Sequence, residues 1–216
     1  MKAVLILPFL ISNILFASNM PLLEEFNDIK IKKYPNIFKF EVGRSFNDAH
    51  RNGRGKSKRL ENYDYWETYS DYYDIYINLD NYNHDDYISA KDEFFDQFEE
   101  LTIFVRRHDK RIEYVSATSY LFGHQSCSIT IDATHKKLKK EIKEIKKFRT
   151  YLIDNEDYII SIAKLKLDKK IYLLVNECWN RDEKDKGLNI AIMTEDEYQE
   201  YYLGDWSKDI LVEEFK

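Results

Sequence analysis

From Tyr73 to Leu79 apolar and polar positions alternate. Tyr73, Ile75, Ile77 and Leu79 fall on one side, and Asp74, Tyr76 and Asn78 on the other. An extended chain sends successive side chains to opposite faces, so DYYDIYINLD predicts a half-buried strand. IFKFEV (37–42) has the same period, with Phe38, Phe40 and Val42 set against Lys39 and Glu41, and predicts another. LTIFVRR and RIEYVSATSY flank the turn HDK and predict a hairpin. YIISIAKLKL and KIYLLVNEC, joined at Asp168–Lys169, predict a second hairpin, and GLNIAIM a further strand. SCSITID (126–132) alternates Cys127, Ile129 and Ile131 on one face and also predicts a strand.

Three stretches follow the helical period instead. Ser89 caps a predicted helix reaching about Glu100, with Phe94, Phe95, Phe98 and Leu101 as its apolar stripe. In HKKLKKEIKEIKKFRTYL, Leu138, Ile142, Ile145, Phe148 and Leu152 recur at helical spacing behind Thr134 as N-cap, with lysines on the other face. Thr194 and Glu197 form a capping box, Met193 and Tyr198 a hydrophobic staple, and that helix is expected to stop near Gly204. The order of elements predicts an α+β fold: a mostly antiparallel β-sheet with about three helices packed on it.

The first twenty residues differ from the rest. Lys2 is followed by an apolar run from Ala3 to Phe16, broken only by Pro8, Ser12 and Asn13, and a polar stretch comes directly after. That run is short of the ~20 apolar residues that span a bilayer. A charged start, a short apolar core and a small residue at its end predict a cleaved signal peptide over residues 1–17, leaving 18–216 as a single globular domain. Pro8 argues against a helix of the mature fold, because it has no N–H to donate. No cysteine lies near the leader for lipid attachment, and LVEEFK gives no apolar tail for exchange, so no stable membrane anchor is expected after cleavage. The expected location is exported, periplasmic or secreted. The usage of Asn, Lys, Ile and Tyr leans bacterial.

Export changes the meaning of the two cysteines. Cys127 and Cys178 are the whole inventory, and an even count in an exported chain predicts a disulfide between them. Each is expected on a strand.

Charge adds a second feature. The chain carries 33 Lys and Arg against 39 Asp and Glu, a net charge of −6, but unevenly. Residues 44–59 hold six basic side chains against Asp48, and residues 135–149 hold eight against Glu141 and Glu144, so the remainder is strongly acidic. Segregation of this kind favours oriented binding of a charged partner.

Candidate chemistry is sparse. GRGKS (53–57) lacks the earlier glycine of a phosphate-binding loop, since His50 stands there, and reads as a solvated basic loop. His124, Cys127 and His135, with Asp132, are the only catalytic-looking grouping, but on a strand His124 and Cys127 point to opposite faces. His50, His84, His108, His124 and His135 show no metal-ligand spacing. No catalytic residue, metal or cofactor is therefore expected, nor a nucleic-acid partner; the lysine face of 135–149 reads as solvated. YDYWETYSDYYDIY (63–76) packs tyrosines and a tryptophan among acids, and those facing outward suit an interface for a basic partner. The expected partner-binding residues are Tyr63, Tyr65, Trp66, Tyr69, Asp71 and Tyr72, with Arg51, Arg54 and Lys56 of the basic loop. Together these features point to a small exported binding protein, an immunity or inhibitor protein that neutralises a toxin or enzyme by occluding it. Two other classes remain open: a secreted hydrolase or effector working near His124, Cys127 and His135, and a cell-envelope glycan-binding or structural module.

Overall fold

The computed structural model describes residues 23–35, 37–46, 65–67, 71–81, 87–120, 126–153, 158–180, 186–200 and 212–214; for 65–67, 81, 153 and 212–214 it describes the backbone alone. Ten strands form one mixed sheet: β1 (Ile29–Lys30), β2 (Tyr65–Glu67), β3 (Tyr72–Asn78), β4 (Glu100–Arg106), β5 (Ile112–Ser119), β6 (Arg149–Ile153), β7 (Tyr158–Leu167), β8 (Lys170–Asn180), β9 (Lys186–Thr194) and β10 (Val212–Glu214). Their order is β10-β6-β7-β8-β9-β5-β4-β3-β2, every neighbour antiparallel, and β1 adds to β7 in parallel.

Both predicted hairpins form, β4–β5 and β7–β8. Asp168 turns the second at φ 56°, a left-handed conformation that Asp tolerates better than most residues. The central strands are buried on both faces, which explains their nearly unbroken apolar runs. Along β8, Tyr172, Leu174 and Cys178 enter one core while Leu173 and Val175 enter the other. The larger core lies between the sheet, helix α1 (Cys127–Glu141) and the segments around Phe38–Phe46 and Tyr87–Phe98. The smaller one is closed by Leu23, Phe26 and Tyr198.

The expected fold class needs correction. Among the described residues only α1 exceeds a single helical turn or a short 3-10 piece, so the chain is mostly β rather than an α+β sheet carrying about three helices. SCSITID is the first half of α1, not a strand. Cys127, Thr130, Ile131, Thr134 and Leu138 line its buried face, whereas Ile129, which alternation would have buried, is 57% exposed. Thr134 is accordingly not a cap but lies inside the helix, where its hydroxyl donates to the Thr130 carbonyl.

The predicted helix over 135–152 ends at Glu141. Ile142, Ile145 and Phe148 stay buried without it, and Arg149–Ile153 becomes β6 because it pairs with β7. The helix expected from Ser89 shrinks to a 3-10 piece, Glu93–Gln97, capped by Asp92, which accepts from the Phe94 amide at 3.1 Å. Half of the expected capping box is seen: the Thr194 hydroxyl accepts from the Glu197 amide at 3.5 Å, while the Glu197 carboxyl bonds to Tyr72. The α-helix it opens is one turn, Glu195–Tyr198, and its expected continuation past residue 200 falls outside the described residues. IFKFEV buries Phe38, Phe40 and Val42 yet makes a single bridge, Phe38↔Ile88, in place of a strand.

Cys127 and Cys178 form the expected disulfide, with Cα atoms 5.4 Å apart. It joins the first turn of α1 to β8 rather than strand to strand, and so fixes the helix on the sheet.

Candidate functional site

The second face of the sheet is closed over β6–β9 by Leu23, Phe26 and Tyr198. Toward β4 and β5 its side chains become polar. Backbone register sets Glu100 of β4, Thr118 of β5, Asn189 of β9 and Glu177 of β8 in one straight row across four strands. Neighbours in the row bond to each other: Thr118 Oγ1 donates to Asn189 Oδ1 at 3.3 Å, and Asn189 Nδ2 to Glu177 Oε2 at 3.4 Å. Thr102 and Ser116 form the next row, and Phe104 stacks on Tyr114 at 4.7 Å in the one after it.

Aromatic side chains complete the rim. Tyr120 follows β5, and its ring meets the Trp179 ring edge-on at 6.5 Å. Its hydroxyl donates to Glu100 at 2.8 Å, and Tyr76 of β3 reaches the same carboxylate. Tyr120, Trp179 and the rows below them enclose an open hollow of about 300 Å³, and Tyr76 stands outside its lining. Tyr76 and Tyr120 are 46% and 49% exposed, and with Ile129 they are the exposed large hydrophobic side chains of the described residues. Partial burial, then the bond to Glu100 and its charge, push the Tyr120 phenol up to about 12 and the Tyr76 phenol up as well, so both remain neutral donors.

Among the described residues, two carboxylates and no cation line the hollow. Such a surface suits a positively charged group: the carboxylates supply charge, the aromatic faces supply cation–π attraction, and the Ser, Thr and Asn side chains supply directional hydrogen bonds.

None of the nominated interface residues that fall among the described residues lines this hollow. Tyr63, Tyr69, Arg51, Arg54 and Lys56 lie outside the described residues. Tyr65 and Trp66 belong to β2, in register with Ile75 and Asp74. The Asp71 carbonyl accepts from the Arg107 amide at 2.7 Å. Tyr72 sits beside Phe104, at 6.4 Å between rings, and bonds to Glu197. It thus borders a second acidic neighbourhood rather than the hollow. There Glu113 is buried, its Oε2 accepting from Thr194 at 2.6 Å and its Oε1 3.3 Å from Arg106. Burial, with Glu200 and Glu113 nearby, pushes Glu197 up to about 7.

Sequence reasoning missed Glu100, Glu177, Trp179 and Asn189. The available signal was the presence of Glu177 and Asn189 inside otherwise apolar strands, together with Thr102, Ser116 and Thr118 at alternate positions.

The catalytic-looking grouping is not assembled among the described residues. Cys127 is buried in the disulfide and offers no thiolate. His135 stacks on Phe148 at 4.2 Å, and burial, reinforced by Lys139, pushes its imidazole down to about 4. Asp132 is exposed, and His124 falls outside the described residues, as do His50, His84 and the GRGKS loop. Part of the lysine face is used structurally: Lys137 pairs with Asp92 at 2.7 Å and ties α1 to the turn it caps. No group of three or more His, Cys, Asp or Glu among the described residues is placed to hold a metal ion.

Comparison with protein-family models, with curated proteins and with solved structures finds no match for this chain.

Proposed function

We propose that this chain is an exported binding protein that neutralises a cationic partner, a toxin or an enzyme, by covering it with the open face of its sheet. One observation carries the reading: a preformed aromatic and acidic hollow, with Trp179 and Tyr120 around Glu100 and Glu177, Tyr76 bonded to Glu100 from β3, and no basic side chain lining it among the described residues. A lysine or arginine of the partner fits it. The surrounding tyrosines give contact area at small entropic cost, as binding hot spots do. Export is supported by the leader-like first twenty residues and is compatible with the disulfide; no helix of the described residues is long and apolar enough to cross a membrane.

The hydroxyl and amide row also favours a second reading, a glycan-binding module, because sugars stack on Trp and Tyr and bond to such rows. Chromatography separates the two. The chain is expected to be retained on immobilised lysine-rich protein and released by salt, with retention lost in Glu100→Lys and in Trp179→Ala. Retention on cell-wall glycan resin, insensitive to salt and to Glu100→Lys, transfers the hollow to the second reading.

A further inference from the structure

The strand β7 shares one edge between two partners. β6 pairs antiparallel with it as far as Arg149↔Ile162, and β1 pairs in parallel from Ile29↔Leu165. Ala163 and Lys164 fall between the two ladders and are bridged by neither. The interruption opens a cleft of about 610 Å³, within the range of small-molecule sites. Its floor is apolar, because Phe26 and Ile162 come from one core and Phe148 and Ala163 from the other.

The rim is basic. Lys30, Lys146, Lys147, Arg149 and Lys164 stand against Asp28 and Glu144. Asp28 is already matched: Lys166 at 2.6 Å and Lys164 at 3.0 Å hold its carboxyl below the usual range. The side chains of Lys30 and Lys147 are exposed and enter no hydrogen bond or ion pair among the described residues. Two uncommitted cations above an apolar floor make an amphipathic site whose charge is opposite to that of the hollow.

We infer that this cleft binds a soluble amphipathic anion: one short hydrocarbon chain laid on the floor, and one carboxylate or phosphate head between Lys30 and Lys147. The floor removes the chain from water, and the two ammonium groups bond the head. A bare anion would leave the floor wet, and a neutral alcohol would leave the cations unmatched.

Calorimetric titration of the full chain with octyl phosphate, octanoate, octanol and inorganic phosphate tests this. One octyl phosphate or octanoate per chain is expected, at least tenfold tighter than octanol or phosphate. The doubly reversed variant Lys30→Glu with Lys147→Glu is expected to lose tenfold or more, with Tm and salt-sensitive retention through the hollow unchanged. Amide shifts should localise to 146–149 and 162–164. No binding by either amphiphile, equal binding by the reversed variant, or phosphate binding as tightly as octyl phosphate would overturn the assignment. So would adsorption to anionic vesicles without one-to-one binding of the free amphiphile, since that marks a membrane-facing surface instead.

Discussion

Trp179 and Gly187 face each other across β8 and β9, and the indole occupies the space that a side chain at 187 would need. A Cβ on Gly187 would stand 2.1 Å from Cζ2 of the ring. The glycine therefore lets the tryptophan lie against the sheet, where it forms one wall of the hollow.

Gly187→Ala is accordingly expected to displace the indole without touching any acidic residue of the site. The account predicts an altered tryptophan emission, weaker retention on cationic protein, and a stability loss of about 1–3 kcal/mol from overpacking. Fluorescence and urea titration measure both effects. Altered emission together with full retention would show that Trp179 takes no part in recognition.

The disulfide closes a long loop, from Cys127 to Cys178, with 51 residues of separation. Replacing both cysteines with serine is expected to cost about 4 kcal/mol, chiefly by freeing the unfolded chain. Urea unfolding of the oxidised protein, the reduced protein and the double variant checks this; the last two should coincide.

Glu197 links stability to pH. Its carboxyl is buried, and Glu200 and Glu113 add to the burial in raising it to about 7, from 4.5 in the unfolded chain. Between those values the native state holds a proton that the unfolded state has lost, so this group lowers stability as pH rises from 4.5 to about 7. The full effect is on the order of 3 kcal/mol. Glu197→Gln should therefore stabilise the protein at pH 8 and change little at pH 4.5, as read from Tm across that range.

His135 acts in the opposite direction. Its imidazole is half-buried against Phe148 and pushed down to about 4, so between pH 6.5 and 4 the unfolded chain binds the extra proton and stability falls on acidification. His135→Phe keeps a ring on Phe148 and removes the titration. The difference in unfolding free energy between variant and parent should grow in favour of the variant as pH drops through that window.

The strands with strict alternation or long apolar runs were legible in the sequence. Ile75 and Ile77 face the core as their spacing requires, and β7 and β8 pair about the Asp168 turn. SCSITID was misread because a short apolar pattern fits two periods. Cys127 and Ile131 stand two strand repeats apart and also one helical turn apart, and only the exposed Ile129 decides. Arg149–Ile153 was misread because Phe148 and Leu152 continue a helical stripe, whereas an open edge of β7 supplied stronger pairing. The hollow was illegible for a topological reason. Glu100 and Glu177 stand in one row only because β9 inserts between β8 and β5, an order that no local pattern encodes.

Site-specific photocrosslinking in the native host tests the central claim most directly. A photoreactive phenylalanine analogue at Tyr120, on the hollow, or at Ile129, exposed on α1, samples opposite sides of the sheet. The account predicts a single crosslinked protein of net positive charge from position 120, none from 129, and loss of the product in Glu100→Lys. Crosslinking from position 129 alone, or an acidic partner at position 120, would contradict it.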